Sequence, residues 1–267
     1  MVHEESLVED LLFLGVCPGE LLMVHASLSS VGWIDGGADA LLAALLRVLG
    51  PTGTLVAYAA TPENSISSPA YRRATEGLGL AQRERYRRSM PAFDRRLTPV
   101  SPSLGRLSEA VRSHPGALRS SHPQTSFAAL GPLAEQITRN HPIEQHLGPD
   151  SPLGRLYELG ARSLLIGVGF DRYTPFHLAD YVRPELPARS YSCKVRGRRG
   201  RSRWVRFRDL DLRDGHFAAL GEQVRERVEV VEGKVGAAPS MVVPLREAVD
   251  AALEIRLGVR SPVLSGC

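Results

Sequence analysis

Cysteine is scarce in this sequence. Cys17, Cys193 and Cys267 are widely spaced and odd in number, which excludes both a disulfide framework and a close-spaced zinc cluster and leaves plain thiols. Lysine occurs only at positions 194 and 234, so arginine carries the basic charge, and its planar fork suits phosphate. No apolar run approaches the roughly 20 residues that span a bilayer. The N-terminus, MVHEESLVEDLLFLGV, sets acidic residues and no basic head before its first apolar stretch, which is wrong for a secretory signal. A cytoplasmic protein with no membrane partner is expected. Several motifs are missing as well. Without GxGxxG or the lysine of a P-loop, neither a dinucleotide fold nor an NTPase is supported. There is no GxSxG elbow for a serine hydrolase and no HExxH, and the scattered His and Asp residues fit no standard zinc spacing, so no metal is expected.

What the chain does have is ordinary globular composition over 267 residues, 43% hydrophobic and 23% charged, with a formal net charge of +4. This suits one large domain over 1–267. Apolar spacing predicts a helix over 5–14, a buried strand at 21–26, a loop Ser27–Gly37, an amphipathic helix ended by Gly50-Pro51 and a strand at 54–60. Such a strand, loop, helix and strand form an α/β unit whose first strand delivers a loop to a site. Residues 61–103 lack a clear period and read as a long substrate-side excursion, with one helix near 78–88. Helices at 104–112, 132–139 and 151–159 follow, with a short strand in SFAALG and a clear one at 162–170. Alternating residues around Gly197–Gly200 predict a C-terminal hairpin. Helices near 217–228 and 244–257 are expected to be joined by the connection EGKVGAAPSMVV.

Histidine is the natural place to seek acid–base chemistry. In Thr174-Pro-Phe-His177-Leu-Ala-Asp180, a helix opened by Pro175 places His177 and Asp180 at i and i+3 on one face. That pairing orients an imidazole and stabilises its cation, as a general base requires; the alternative on these residues alone is a capped helix with a surface ion pair. His122 lies in SSHPQTSF, a loop able to bind an anion, polarise a carbonyl or simply satisfy its own backbone. The segment His25-Ala-Ser27-Leu-Ser29-Ser30 lies between a strand and a helix, where amides attract phosphates or a developing oxyanion. The stretch Arg196–Trp204 mixes arginines with an aromatic, which suits either a nucleic-acid backbone or a solvated hairpin tip.

Taken together, six segments resemble the aminoglycoside 3-N-acetyltransferases of the antibiotic N-acetyltransferase family, which is distinct from the GNAT acetyltransferases. They are MVHASLSSVGWIDGGADALLAALLRVLGPTGTLV (23–56), MPAFDRRLTP (90–99), RSSHPQTSFAALGPLA (119–134), SPLGRLYELGARSLLIGVGF (151–170), TPFHLADY (174–181) and GKVGAAPSMVV (233–243). The resemblance implies a three-layer α/β/α sandwich with a mixed central sheet. It also implies acetyl-CoA as donor, the 3-amine of a 2-deoxystreptamine aminoglycoside as acceptor, and no nucleic acid, in a monomer or homodimer. It makes His177 the base, supported by Thr174, Asp180 and His122, and makes Ser27, Leu28, Ser29, Val31, Ser126 and Phe127 the coenzyme surface. Most relatives carry Glu where this chain has Asp180, and many carry an acid where it has His216. A polycationic acceptor calls for carboxylates, for which Glu63, Asp94, Asp171 and Asp211 are the candidates. Alternatives are a member of the same family acting on another amine, a metal-dependent hydrolase using His122, His177 and Asp180, and an RNA-binding module using the hairpin.

Overall fold

In this computed structural model, residues 1–182, 186–197 and 200–258 are described. The first helix, α1 (Glu4–Phe13), buries Leu7 and Leu11. The chain reverses at Gly15, whose φ of 74° favours glycine, and enters β1 (Leu21–Ala26). The segment after β1 holds a one-turn helix, α2 (Leu28–Val31), where a loop was expected. Next come α3 (Gly37–Leu49) and β2 (Thr54–Tyr58). The excursion contains α4 (Pro69–Ala74), which the sequence pattern did not reveal, and α5 (Leu80–Ser89). Beyond it run α6 (Gly105–Ser113), β3 (Leu118–Arg119), β4 (Phe127–Leu130), α7 (Ala134–Thr138), α8 (Pro152–Glu158) and β5 (Arg162–Ile166). The remainder is α9 (His177–Tyr181), β6 (Ala188–Arg196), β7 (Ser202–Leu210), α10 (Phe217–Arg225), β8 (Val231–Val235), β9 (Ala238–Pro244) and α11 (Leu245–Leu257).

Seven strands form one mixed sheet in the order β3-β4-β2-β1-β5-β9-β8. At its centre β1 runs parallel to both β2 and β5, while β4 and β9 pair antiparallel on either side. The period-2 alternation of strand side chains supplies two apolar faces. Leu22, Val24, Leu55, Ala57, Leu164 and Ile166 pack with Leu7, Leu11, Leu41, Leu45 and Leu107 from α1, α3 and α6. Met23 and Val56 face the other way, against Ile137, Leu153, Leu156 and Leu245 from α7, α8 and α11. Leu165 and Val243 meet Phe217, Leu220 and Ala248 on that same side. The expected three-layer α/β/α sandwich is therefore present, and burial of each large side chain contributes about 1.5–3 kcal/mol.

Two boundaries differ from the sequence pattern. The strand expected over 162–170 stops at Ile166, because Gly167 turns at φ 61° and its amide donates to Pro239 O at 2.8 Å. The segment EGKVGAAPSMVV is a hairpin, β8 with β9, that completes the sheet edge. Its turn glycines and small residues hid the alternation. The other hairpin, β6 with β7, stands off the main sheet as a two-stranded sheet of its own. It touches the excursion through bridges between Ser65 and Cys193 and between Phe93 and Val195. Buried Arg119 fastens the excursion to the sheet: Nε donates to Ser126 Oγ at 3.0 Å, one terminal nitrogen to Ala59 O at 2.8 Å and the other to Thr98 O.

Helix α10 lies against the turn after β5, and a Cβ at Gly221 would come within 2.1 Å of Phe170 Cβ. Gly221→Val should therefore force the two apart and cost about 1–3 kcal/mol. Thermal unfolding would show it as a lowered midpoint. An unchanged midpoint would contradict the close packing.

Candidate active site

The parallel strands β1 and β5 end side by side, with Ala26 opposite Ile166. In an open α/β sheet the crevice beyond such carboxyl ends is where ligands sit. A cleft of ≈ 870 Å³ lies there, walled by Ser27, Leu28 and Ser29 after β1, by Gly167 to Arg172 after β5, and by Pro102 to Arg106 at the end of the excursion. Thr174, His177 and Phe217 close one side, and Tyr58 and Asp214 also face it.

His177 sits in α9 after a 3-10 turn, Thr174–Phe176, that Pro175 helps to start. Its Nδ1 lies 2.9 Å from Asp180 Oδ2. Asp180 is only 2% exposed, and its other oxygen lies 2.5 Å from the guanidinium of Arg256 on α11. A buried carboxylate needs such partners, since its charge is otherwise strongly disfavoured. A carboxylate accepts, so the proton of the neutral imidazole belongs on Nδ1 and the lone pair on Nε2. Phe217 packs against the ring, with centroids 4.7 Å apart and the planes tilted by 57°. This places an oriented imidazole at the rim of a ligand-sized cleft, the arrangement general base catalysis needs.

The sequence pattern of the family described as aminoglycoside 3-N-acetyltransferase matches residues 23–255. Aminoglycoside N(3)-acetyltransferase III of Serratia marcescens is 36% identical over 259 residues, covering 92% of this chain and 94% of that protein. The crystal structure of the YokD protein of Bacillus subtilis superposes with a TM-score of 0.88 at 34% identity, covering 97% of this chain and all of that one. A structure of AAC-IIIb with CoASH bound gives 0.82 at 31% identity, over 98% and 99% of the two chains.

The chain belongs to the aminoglycoside 3-N-acetyltransferase family. As a member it transfers acetyl from acetyl-CoA to the 3-amino group of an aminoglycoside. Among the described residues no group of three or more His, Cys, Asp or Glu is arranged to hold a metal ion, and no helix is long and apolar enough to cross a membrane.

Measured against the expected acetyltransferase site, the cleft gathers His177, Thr174, Ser27, Leu28, Ser29 and Asp171. Others fall away from it. Val31, the last residue of α2, is buried in the core. Ser126 is fully buried and spends its hydroxyl on Ala59 O while accepting from Arg119. Phe127 is fully buried in the opposite layer. Neither Ser126 nor Phe127 has surface left for a coenzyme, so the SSHPQTSF motif reflects how β4 is anchored. His122 is likewise buried. Its Nδ1 accepts the amides of Gln124 and Thr125 and its Nε2 donates to Ile143 O, which makes it the hub of its own turn. Rings of His141 and His146 lie 4.8 and 4.7 Å from it, and His146 donates from Nδ1 to Asp209 at 2.6 Å.

Among the acidic candidates, Asp171 lines the cleft beside Arg172. Glu63 accepts from Ser101 Oγ at 2.5 Å. The amides of Arg96 and Leu97 and the side chain of Arg196 hold the Asp94 carboxyl below its usual range. Hydrogen bonds from Arg213 and Arg189 do the same for Asp211. These last three lie off the cleft wall, each engaged by a partner. Sequence reasoning missed Asp214, Arg106 and Arg256; Asp214 lies in an unpatterned loop before α10, Arg106 is a single basic residue in the first turn of α6, and Arg256 lies 76 positions from its carboxylate. Of the stretch 196–204, Arg198 and Arg199 lie outside the described residues, as does Cys267; Cys17 and Cys193 are free thiols.

Burial lowers His141 to about 4 and His122 well below its ordinary 6.5. The unfolded chain therefore binds more protons below pH 6.5, so stability is full above that pH and is lost as pH falls toward 4. Each ring contributes up to about 1.4 kcal/mol per pH unit in that window. Urea midpoints should drop steeply between pH 6.5 and 4.5, and His141→Gln should flatten the slope. Midpoints flat over that range would contradict the buried neutral assignment.

Proposed function

We propose that His177 is the general base of the acetyl transfer, oriented by Asp180 and Arg256, with Thr174 beside it. The single observation carrying this reading is the chain from Arg256 through Asp180 to His177 Nδ1, which frees Nε2 at the cleft. The acceptor amine attacks the thioester carbonyl carbon, forming the C–N bond, and its proton passes to Nε2. Collapse of the tetrahedral intermediate breaks the C–S bond, and the leaving thiolate takes that proton back. The products are an amide and coenzyme A thiol, and the base is regenerated. Asp180 stabilises the imidazolium that exists in between.

The donor is assigned to Ser27, Leu28 and Ser29, with Arg106 and Arg172 on the cleft wall suited to its phosphates. The acceptor's ammonium groups are assigned to Asp171 and Asp214 on the same wall. In this reading residues 1–267 act as one domain, in the cytoplasm where acetyl-CoA is available, and the reaction serves antibiotic resistance.

His177→Ala should lower kcat by roughly 10²–10⁴, the usual worth of a general base, while CoASH affinity measured by calorimetry stays near wild type. Near-normal turnover would remove His177 from the mechanism. Asp180→Asn should reduce kcat without changing the KM for acetyl-CoA. An equal rise in KM with no loss of kcat would show that the carboxylate serves binding instead. If carboxylates seat the acceptor, its KM should also rise with ionic strength as screening weakens those contacts. A KM indifferent to salt would count against Asp171 and Asp214.

A further inference from the structure

His25 stands out among the groups that this mechanism does not use. It is the penultimate residue of β1 and alternates with Val24, so it points to the same side of the sheet as Met23, the side on which α9 carries His177. Its ring lies 6.2 Å from that of Tyr173, and it lines the same cleft as His177. Its Nε2 is sealed from solvent without a hydrogen-bond partner. Among the described residues Nδ1 has no protein partner either, but it is not sealed in the same way, so it is the ring nitrogen open to the cleft that His25 lines; a buried, unpaired Nε2 costs stability.

The reaction has a matching need. Attack on a thioester puts negative charge on its carbonyl oxygen, which requires hydrogen-bond donors aimed at it. The amides at the two strand tips nearest the cleft are already spent: Ser27 N–H donates to Ile166 O at 2.9 Å, and Gly167 N–H to Pro239 O at 2.8 Å. A side-chain donor at the cleft floor would take their place.

We propose that His25 is a catalytic hydrogen-bond donor to the carbonyl oxygen of the acetyl thioester, facing His177 across the reacting carbon. This rests on the reading of the cleft as the acetyl-CoA site. Burial lowers His25 to about 4, so the ring is neutral at working pH and carries one N–H, and a neutral imidazole polarising a carbonyl is a known catalytic device. Nε2 is sealed off, so only Nδ1 can meet a ligand's carbonyl oxygen, and as the donor in this proposal it carries the proton.

The test separates the acyl carbonyl from the rest of the coenzyme. His25→Phe keeps a ring against Tyr173 and removes both nitrogens, and His25→Leu serves the same purpose should Phe not fit. His25→Gln restores a donor. The expected result is a loss of about 10²–10³ in kcat for the Phe or Leu variant, the cost of removing one oxyanion donor. The Gln variant should recover at least about tenfold of it, and CoASH, which lacks the carbonyl, should bind all forms with affinity within about twofold. Turnover within about threefold of wild type in the Phe or Leu variant would overturn the proposal. So would equal losses in the Gln and Phe variants with a parallel loss of CoASH affinity, which marks a structural residue. If wild type itself failed to bind CoASH, the reading of the cleft would fall and this proposal with it.

Discussion

Everything at the site depends on keeping one carboxylate charged in a place where water does not reach it. Asp180 is 2% exposed, and an uncompensated buried charge would cost several kcal/mol. Arg256 supplies the countercharge from the last turn of α11, and His177 supplies a donor from three residues away. The closing helix of the fold thus helps hold the His177–Asp180 pair proposed to do the acid–base work. Its Leu245 and Ala248 pack onto the sheet, so the same burial that stabilises the α/β/α sandwich also aims the guanidinium. The short aspartate side chain reaches both partners.

The sheet decides where the His177–Asp180 pair is used. Because β1 lies between two parallel neighbours, β2 and β5, its C-terminal end opens beside the end of β5. Gly167 then turns sharply and commits its amide to β9. The result is a cleft whose floor is strand ends and whose walls are the excursion and α9. Arg119, buried and bonded to Ser126, Ala59 and Thr98, keeps that excursion in place. Burial lowers Arg119 to about 10, yet it stays charged at neutral pH. A separate buried network links the β6–β7 hairpin to α9. Burial opposes the charge of Asp209, but donors from His146 and from the hydroxyl of Tyr181 outweigh it.

Much of this was legible in the sequence wherever a period or a local spacing carried the information. The apolar stripe of 38–49 announced α3, and TPFHLADY announced the pairing of His177 with Asp180, because i and i+3 on one turn is a local fact. The oxygen-rich loop SSHPQTSF misled for a physical reason. Polar residues in a loop are as useful for satisfying buried backbone as for holding a ligand, and only the fold shows that Ser126 and His122 do the former. Arg256 was invisible because its partner is brought to it by the packing of two helices. The hairpin β8–β9 was invisible because Gly236 and a run of small residues break the alternation that marks a strand.

The central claim is that the Asp180–Arg256 pair holds the His177 proton on Nδ1 and leaves Nε2 free to accept one. The most direct measurement is the tautomer of His177 in the wild-type protein, read by long-range ¹⁵N–¹H correlation with ¹⁵N-labelled histidine at a pH where the ring is neutral. The account predicts the Nδ1–H form, with Nε2 at the shift of an unprotonated nitrogen. A dominant Nε2–H form would contradict it, since the nitrogen facing the cleft could then take no proton from an amine.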